Sequence, residues 1–484
     1  MLIRRFNMSV WFGIDFGTTN SAAVSLSISD SDILPPVHYG DDEGRPLPSV
    51  VAISNETGEI IVGREAKDNR NSLGQTHEYI QSVKTLIHKE KIWNIAGKEY
   101  TAENITTEIF RYLKKRIEYK SEICINDAVI AVPVGFSSDK KRHLRNAAEE
   151  ANINVKMFIS EPTAAFCSNY EELKGCKTVA VFDWGGGTLD VVILEIDDGY
   201  IRELASESLP FAGDHIDEKL AEKIHANFMR NKQSPVSFDD LEKTARDRLL
   251  MECERAKREL ENEDIVTIDI FKYGKFGSLN ESIDYNYFSL LIEKDIEKAE
   301  KCLAKAIHES GKSKTELDRI LCVGGSSNLR AIREKLTEIY SEETIYYPKS
   351  VMWNIAEGAA VISINQGNYA LNKSVGIILS DNEFHPIFEK GQLIPCKEEI
   401  LYFGVVDDAK TANFVITDSE NEDEREFTKN IILPICGYCD ESITVKCYID
   451  ENFILRMKIQ SSKMPEETGV VWTYDKLKIS YRLK

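Results

Sequence analysis

The chain has 484 residues, with 60 basic against 80 acidic side chains, a formal charge of −20 and 42% hydrophobic residues. That length suggests about three domains of ordinary size and a large core that needs no disulfide or metal staples, and the apolar content excludes general disorder. The acidic balance argues against binding to a nucleic-acid backbone, which needs a basic face, and no run approaches the ~20 apolar residues that span a bilayer, so neither nucleic acid nor a membrane is an expected partner.

Met1-Leu2-Ile3-Arg4-Arg5 is basic but lacks the apolar core of a signal peptide, and the first strand pattern begins only at Val10, which makes Met8 a candidate start. A hairpin signature follows. Trp11 to Phe16 is β-rich and carries Asp15, Gly17-Thr18-Thr19 turns the chain, and Ala22, Val24 and Leu26 continue. Ala128 to Pro133 reads as a buried strand and Ser138 to Asn152 as a helix with Leu144, Ala147, Ala148 and Ala151 on one side. The hairpin signature then recurs 168 residues after Asp15: Val181 and Phe182 lead to Asp183, Gly185-Gly186-Gly187-Thr188 turns, and Val191 to Leu194 continues. Two related α/β lobes, each opening with the same hairpin, are the economical reading.

Leu241 to Leu260 is an amphipathic helix with Leu249, Cys253, Ala256 and Leu260 at three- and four-residue steps. Tyr287 to Ile307 is another helical pattern. Ile320 to Val323 is a strand, followed by Gly324-Gly325-Ser326 and a helix through Leu329, Ile332 and Leu336. Gly367-Asn368-Tyr369-Ala370 reads as a short connection. Beyond it alternation takes over, as in Ile443, Val445, Cys447 and Ile449, then Phe453, Leu455, Met457 and Ile459 after a turn at Asp450-Glu451-Asn452, then Leu477, Ile479, Tyr481 and Leu483. This predicts an antiparallel β domain with one buried face. Asp418 to Glu426 reads as a solvated acidic loop.

Glycine turns let backbone N–H groups approach an anion, and threonine hydroxyls add donors. Asp15 and Asp183 would repel a phosphate unless a cation lies between, and magnesium takes carboxylates and keeps waters. Two such hairpins across a cleft would clamp a metal–polyphosphate; two ordinary glycine turns are the alternative. Gly324-Gly325-Ser326, between strand and helix, suits a phosphate or ribose contact. Gly213-Asp214 before the helix at Ile216 is weaker, since Asp214 serves equally as an N-cap.

These strings together resemble the seventy-kilodalton heat-shock chaperone family, within the wider actin, sugar-kinase and chaperone nucleotide-binding superfamily. The matching segments are IDFGTTNS (Ile14 to Ser21), AVPVGF (Ala131 to Phe136), EPTAAF (Glu161 to Phe166), FDWGGGTLDVVIL (Phe182 to Leu194), AGDHID (Ala212 to Asp217), ERAKREL (Glu254 to Leu260), CVGGSSNL (Cys322 to Leu329) and EGAAV (Glu357 to Val361). The resemblance implies an α/β protein: a two-lobed, actin-like (ribonuclease H-like) nucleotide-binding domain, with lobe I at 10–176 and lobe II at 177–366, whose last helix crosses back, then a linker at 367–374 and a small antiparallel β-sandwich at 375–484. It implies ATP or ADP with Mg2+ as cofactors and ATP hydrolysis as the reaction. Asp15 and Asp183 would hold the magnesium, mainly through water. Thr18, Thr19, Gly17, Gly185, Gly186, Gly187 and Thr188 would bind phosphates, and Lys84 would position the attacking water, with Glu161 and Asp190 completing the acidic shell. Glu254, Lys257 and Arg258 would line the adenosine side from the second lobe, and Gly213, Asp214, Gly324, Gly325, Ser326 and Asn328 would also bind the nucleotide. Glu254 and Arg258 share a helical face, for which a surface ion-pair ladder is the alternative. Extended peptide segments and a co-chaperone or exchange factor are the implied partners.

Four departures stand out. Asn328 replaces the family's adenine-stacking arginine, and Met352 replaces an aspartate six residues before the GAA motif. GNYALNKS (Gly367 to Ser374) lacks the family's leucine-rich acidic linker, and the sequence ends at Lys484 before any helical lid, although Asn372 to Pro395 still resembles the start of the peptide-binding β-sandwich. A small-molecule kinase and a nucleotide-binding adaptor without turnover are the rival functions, and a β domain serving a fixed partner is the alternative to peptide binding. Ten scattered cysteines, several in apolar runs such as Leu321-Cys322-Val323, fit a reducing, cytoplasmic setting. Cys436-Gly437-Tyr438-Cys439 is a CxxC without a second ligand pair at zinc spacing. Trp184 is expected to pack beneath its turn.

Overall fold

The computed structural model describes residues 9–29, 32–197, 200–234, 236–364, 369–379, 383–419, 425, 428–474, 477 and 479–483. The candidate start at Met8, residues 367 and 368 of the linker, and most of the acidic stretch at 418–426 lie outside them. The chain groups into two compact units, one of residues up to 195 together with 204–364, the other of 196–203 together with the chain from 365 onward. It is a mixed α/β structure, and no helix among the described residues is long and apolar enough to cross a membrane.

In the first unit the hairpin Val10–Phe16 and Asn20–Ser29 pairs antiparallel through its whole length, with Asp15 opposite Ala22. Asp127–Val132 runs parallel beside it, with Asp15 level with Ala131, and Asn154–Ser160 runs parallel beside that. Such inner strands are apolar on both faces because both are covered. Phe12, Ile14, Phe16 and Ala23 face the helices Ala102–Ser121 and Ser138–Glu150. The alternate residues Ala22, Val24 and Leu26 face Trp353, Ala356 and Ala360 at the start of the helix Asn354–Ile364. That helix lies so close that a Cβ on Gly13 would sit 2.1 Å from the Ala360 amide nitrogen.

The same pattern recurs around the second hairpin. Thr178–Trp184 and Leu189–Asp197 pair antiparallel with Asp183 opposite Asp190. Arg319–Val323 runs parallel beside Thr178–Trp184, with Asp183 level with Val323, and Ile345–Tyr346 runs parallel beyond it. Phe182, Trp184, Val191 and Ile193 form a core with Ile216 and Leu220 of helix Gly213–Asn231, Leu249 and Cys253 of helix Lys243–Glu259, and Ile292 of helix Tyr285–Glu309. Trp184 is fully buried there.

Some boundaries differ from the sequence reading. The helix read from Ile216 already starts at Gly213, with Ala212 as its N-cap, so Asp214 lies inside the first turn and caps nothing. Gly325 and Ser326 of the glycine string lie in a 3-10 turn, Gly325–Asn328, and helix Arg330–Ile339 starts only after Leu329.

The second unit contains two four-stranded antiparallel sheets. One runs Phe384–Phe388, Val375–Ile378, Thr411–Thr417, Thr428–Pro434; the other runs Cys396–Gly404, Ser442–Ile449, Leu455–Ser461, Val470–Tyr474. Ile443, Val445, Cys447 and Ile449 are buried while Lys446 and Tyr448 face out, as alternation requires. Phe453 belongs to the turn, at φ 60°, rather than to the strand that starts at Leu455. Part of the stretch read as linker is a strand. Tyr369–Leu371 is buried and pairs with Ile479–Arg482, which also pairs with residues 200–202 of the hairpin tip. Local sequence could not reveal this, because both partners lie more than 100 residues away.

Candidate functional site

A cavity of about 810 Å³ opens in the first unit between the two hairpin sheets. Asp15, Gly17, Thr18 and Thr19 line it from the first hairpin. Asp183, Gly185, Gly186, Gly187 and Thr188 line it from the second. Lys84, Glu161, Gly213, Asp214, Glu254, Lys257, Arg258, Gly324, Gly325, Ser326 and Asn328 complete the wall, and Met352 is also present. Of the residues singled out for the site, the structure brings all but Asp190 into one wall, from seven separate segments. Asp190 stands behind the wall and reaches it through Thr188, whose hydroxyl donates to Asp190 Oδ2 at 2.8 Å.

The two turns face each other at close range. A Cβ on Gly186 would lie 2.6 Å from Thr19 Oγ1, and one on Gly187 would lie 3.4 Å from Thr18 Cγ2. A side chain at 186 would have to displace the Thr19 hydroxyl, so glycine lets the two turns approach this closely. Each turn is braced from behind. Ser49 donates its hydroxyl to the Gly17 carbonyl at 2.9 Å, and its amide to the Thr19 carbonyl at 2.9 Å. The Gly185 carbonyl accepts from Ser326 Oγ at 2.8 Å and from the Gly213 amide at 3.1 Å, and the Asp214 amide donates to the Gly186 carbonyl at 2.8 Å. The second turn is thereby tied to both the N-terminus of helix Gly213–Asn231 and the glycine string at 324.

Four carboxyls crowd the floor. Burial pushes Asp15 up to about 7, reinforced by the Glu161 charge. Burial, then Glu161, Asp190 and Asp15, pushes Asp183 well above the usual carboxylate range. Glu161 and Asp190 are also raised, by burial first. Lys84 is the cation that opposes the shift at all four. It sits on the turn Val83–Leu86, is 5% exposed, and donates to Glu161 Oε1 at 2.5 Å. Glu161 opens helix Glu161–Ser168, capped by Ser160, where a negative charge faces the positive helix end. One ammonium cannot neutralise four buried carboxyls, so the site has the charge excess that a divalent cation would relieve. Among the described residues no group of three His, Cys, Asp or Glu side chains converges for direct ligation. A cation held largely through water, as magnesium prefers, fits that donor set.

The wall opposite the floor carries its own buried pair. Lys257 donates to Asp217 Oδ2 at 2.7 Å and to the Gly213 carbonyl at 3.0 Å. Burial still pushes Asp217 up to about 6 despite the lysine. Arg258 bonds Glu254 at 2.6 Å, so the ion-pair ladder exists, but both of its members line the cavity. Although burial pushes Glu254 up, Lys67, Arg258 and Lys257 together hold it below its ordinary value.

Several lining residues were not singled out from sequence. Glu261 was legible, lying one helical step beyond Lys257 and Arg258. Ser208 lines the cavity and bonds Asp190, with no local signal to mark it. A clasp at the cavity mouth was equally hidden. Arg70 donates to the buried Asp247 at 2.6 Å and lies 4.8 Å from the Tyr79 ring centroid, and Lys67 lies 3.6 Å from Glu254. These pairs join the segment at 64–73 to helix Lys243–Glu259, and both segments contribute residues to the cavity wall. Removing Arg70 leaves Asp247 buried without its partner and unties one side, so Arg70→Ala is expected to raise the release rate of a labelled nucleotide roughly tenfold. An unchanged rate in stopped flow would show that the clasp does not gate the cavity.

A family model described as Hsp70 protein matches residues 90–471, nearly four-fifths of the chain. The chain belongs to the Hsp70 family. The match begins after the first hairpin and after Lys84, so the assignment of those residues rests on their motif and on the geometry above. As a family member the chain is a chaperone-type nucleotide-binding protein. Hsp70 proteins are ATPases that bind ATP or ADP with magnesium and engage peptides and co-chaperones. Cys436 and Cys439 are both exposed, in the second unit.

Proposed function

We propose that this Hsp70 protein hydrolyses ATP in the cavity of its first unit and couples that cycle to the binding of extended peptide by its C-terminal β domain. The observation that carries the reading is the facing pair of acid-bearing glycine turns around the Lys84–Glu161 pair. In this reading the turn amides at 17–19 and 186–188 and the hydroxyls of Thr18, Thr19 and Thr188 hold the phosphates. Asp190 takes the Thr188 proton in a hydrogen bond, which turns the hydroxyl lone pairs toward the cavity. Glu161 and Lys84 orient a water against the terminal phosphoryl group, with Lys84 stabilising the charge that develops there. Magnesium bound through Asp15 and Asp183 would neutralise phosphate charge. Glu254, Lys257 and Arg258 line the nucleoside side. The two four-stranded sheets of the second unit are read as the peptide-binding β-sandwich.

The test is phosphate release from ATP with and without an unfolded peptide. Turnover that requires magnesium, stops with chelator and rises with peptide is the expected result. Phosphate transferred to a small acceptor would favour a kinase, and tight binding without turnover an adaptor. Binding itself is expected to raise thermal stability by about 2.7 kcal/mol at a hundredfold excess over Kd, and chelation of magnesium to remove most of that gain. No shift in melting temperature with magnesium–ATP would remove the nucleotide reading altogether.

A further inference from the structure

The cavity wall has an order that runs away from the carboxyl floor. Gly324 lies at the floor, where a Cβ on it would be 2.6 Å from Asp183 Oδ1. Next come Ser326, Gly213 and Lys257, packed so that a Cβ on Gly213 would meet Ser326 Oγ at 2.6 Å and Lys257 Nζ at 3.0 Å. Beyond them, on the same two segments, come Asn328 and Glu261. Arg333 acts on both of these last two. It donates to Asn328 Oδ1 at 2.8 Å, and it is the leading positive charge acting on Glu261, whose carboxyl burial pushes upward. If phosphates occupy the floor, Asn328 and Glu261 stand at the nucleobase end.

Their hydrogen-bonding capacity is fixed and unused. Arginine can only donate, so the atom of Asn328 that meets Arg333 is its carbonyl oxygen, and the amide nitrogen is left to donate elsewhere. Among the described residues no hydrogen bond is made by that nitrogen or by the Glu261 carboxylate. The base end thus offers a charged acceptor and an oriented donor. Guanine matches this pair better than adenine does. Its ring N1–H and amino group give a carboxylate two adjacent donors, and its O6 and N7 accept from an amide. Adenine gives the carboxylate only its amino group, beside a ring nitrogen that repels it.

We propose that Glu261 and Asn328, the latter oriented by Arg333, read the nucleobase and make this cavity a general purine-nucleotide site that accepts guanine as readily as adenine. The proposal rests on the cavity being a nucleotide site.

Titration calorimetry of the full chain with magnesium–ADP and magnesium–GDP tests it. The expected GDP Kd is within tenfold of the ADP value. Glu261→Ala is expected to weaken GDP at least tenfold while changing ADP less than threefold. Asn328→Asp keeps a partner for Arg333 but replaces the donor by an acceptor, and should act in the same direction. A GDP Kd more than tenfold above that of ADP, or variants that weaken both nucleotides equally, would overturn the proposal while leaving the nucleotide site intact. Failure of both nucleotides to bind would overturn the nucleotide reading and this proposal with it.

Discussion

Lys84→Ala is expected to lower magnesium-dependent ATP turnover at least a hundredfold while changing ATP affinity tenfold or less. The asymmetry follows from where the charge sits. Lys84 is the cation that opposes burial at Asp15, Glu161, Asp183 and Asp190, and it touches Glu161 at 2.5 Å. A preorganised charge in a dry site matters most where charge develops during reaction, and removing one such group typically costs roughly 3 kcal/mol of transition-state stabilisation. The turns that would hold the phosphates are braced by Ser49, Ser326, Gly213 and Asp214 instead, so binding should survive. The folded state should survive too, because Glu161, already pushed upward, can take a proton in place of its lost partner. Single-turnover kinetics separates the two effects. A variant retaining more than a tenth of the parent rate would remove Lys84 from the reaction.

Gly358→Ala is expected to destabilise the first unit by about 3 kcal/mol and to reduce turnover without touching a lining residue. Helix Asn354–Ile364 crosses helix Glu161–Ser168 at this glycine. A Cβ there would lie 1.7 Å from the Ala164 carbonyl oxygen, 2.4 Å from its carbon and 2.9 Å from its Cα. All three atoms are backbone, so no rotamer change relieves the clash, and the helices must part. Ala164 is one turn from Glu161, so the displacement reaches the Lys84–Glu161 contact, where an error of about 1 Å is costly. Thermal melting should show a drop of several degrees. Gly404→Ala is the control, since a Cβ at 404 meets nothing within 4 Å; its melting temperature should not change. Equal melting temperatures for the two variants would mean that the crossing tolerates a wider spacing.

Much of the site was legible because its chemistry is local. An acid before a glycine–threonine turn is a contiguous pattern, and its recurrence 168 residues later marked both halves of the cavity. The helix through Glu254 and Arg258 announced itself by its period, and the strands after Ser442 by strict alternation. Glu261 was within reach of the same helical count. The clasp between Arg70 and Asp247 was not, because its partners are 177 residues apart and each alone is an ordinary surface charge. Nor was Ser208, one serine in a strand, or the strand Tyr369–Leu371, which exists because Ile479–Arg482 lies beside it.

The sequence by itself determined the kinds of turn, the period of each element and which acids, threonines and lysine were available, since these depend on neighbours within a few residues. Only the tertiary structure decided that Asp15 and Asp183 share a wall, that Lys84 meets Glu161 across 77 residues, and that four carboxyls lose their water in one place. Burial and charge proximity belong to the assembled packing, and it is those two quantities that turn ordinary carboxyls into a site short of positive charge.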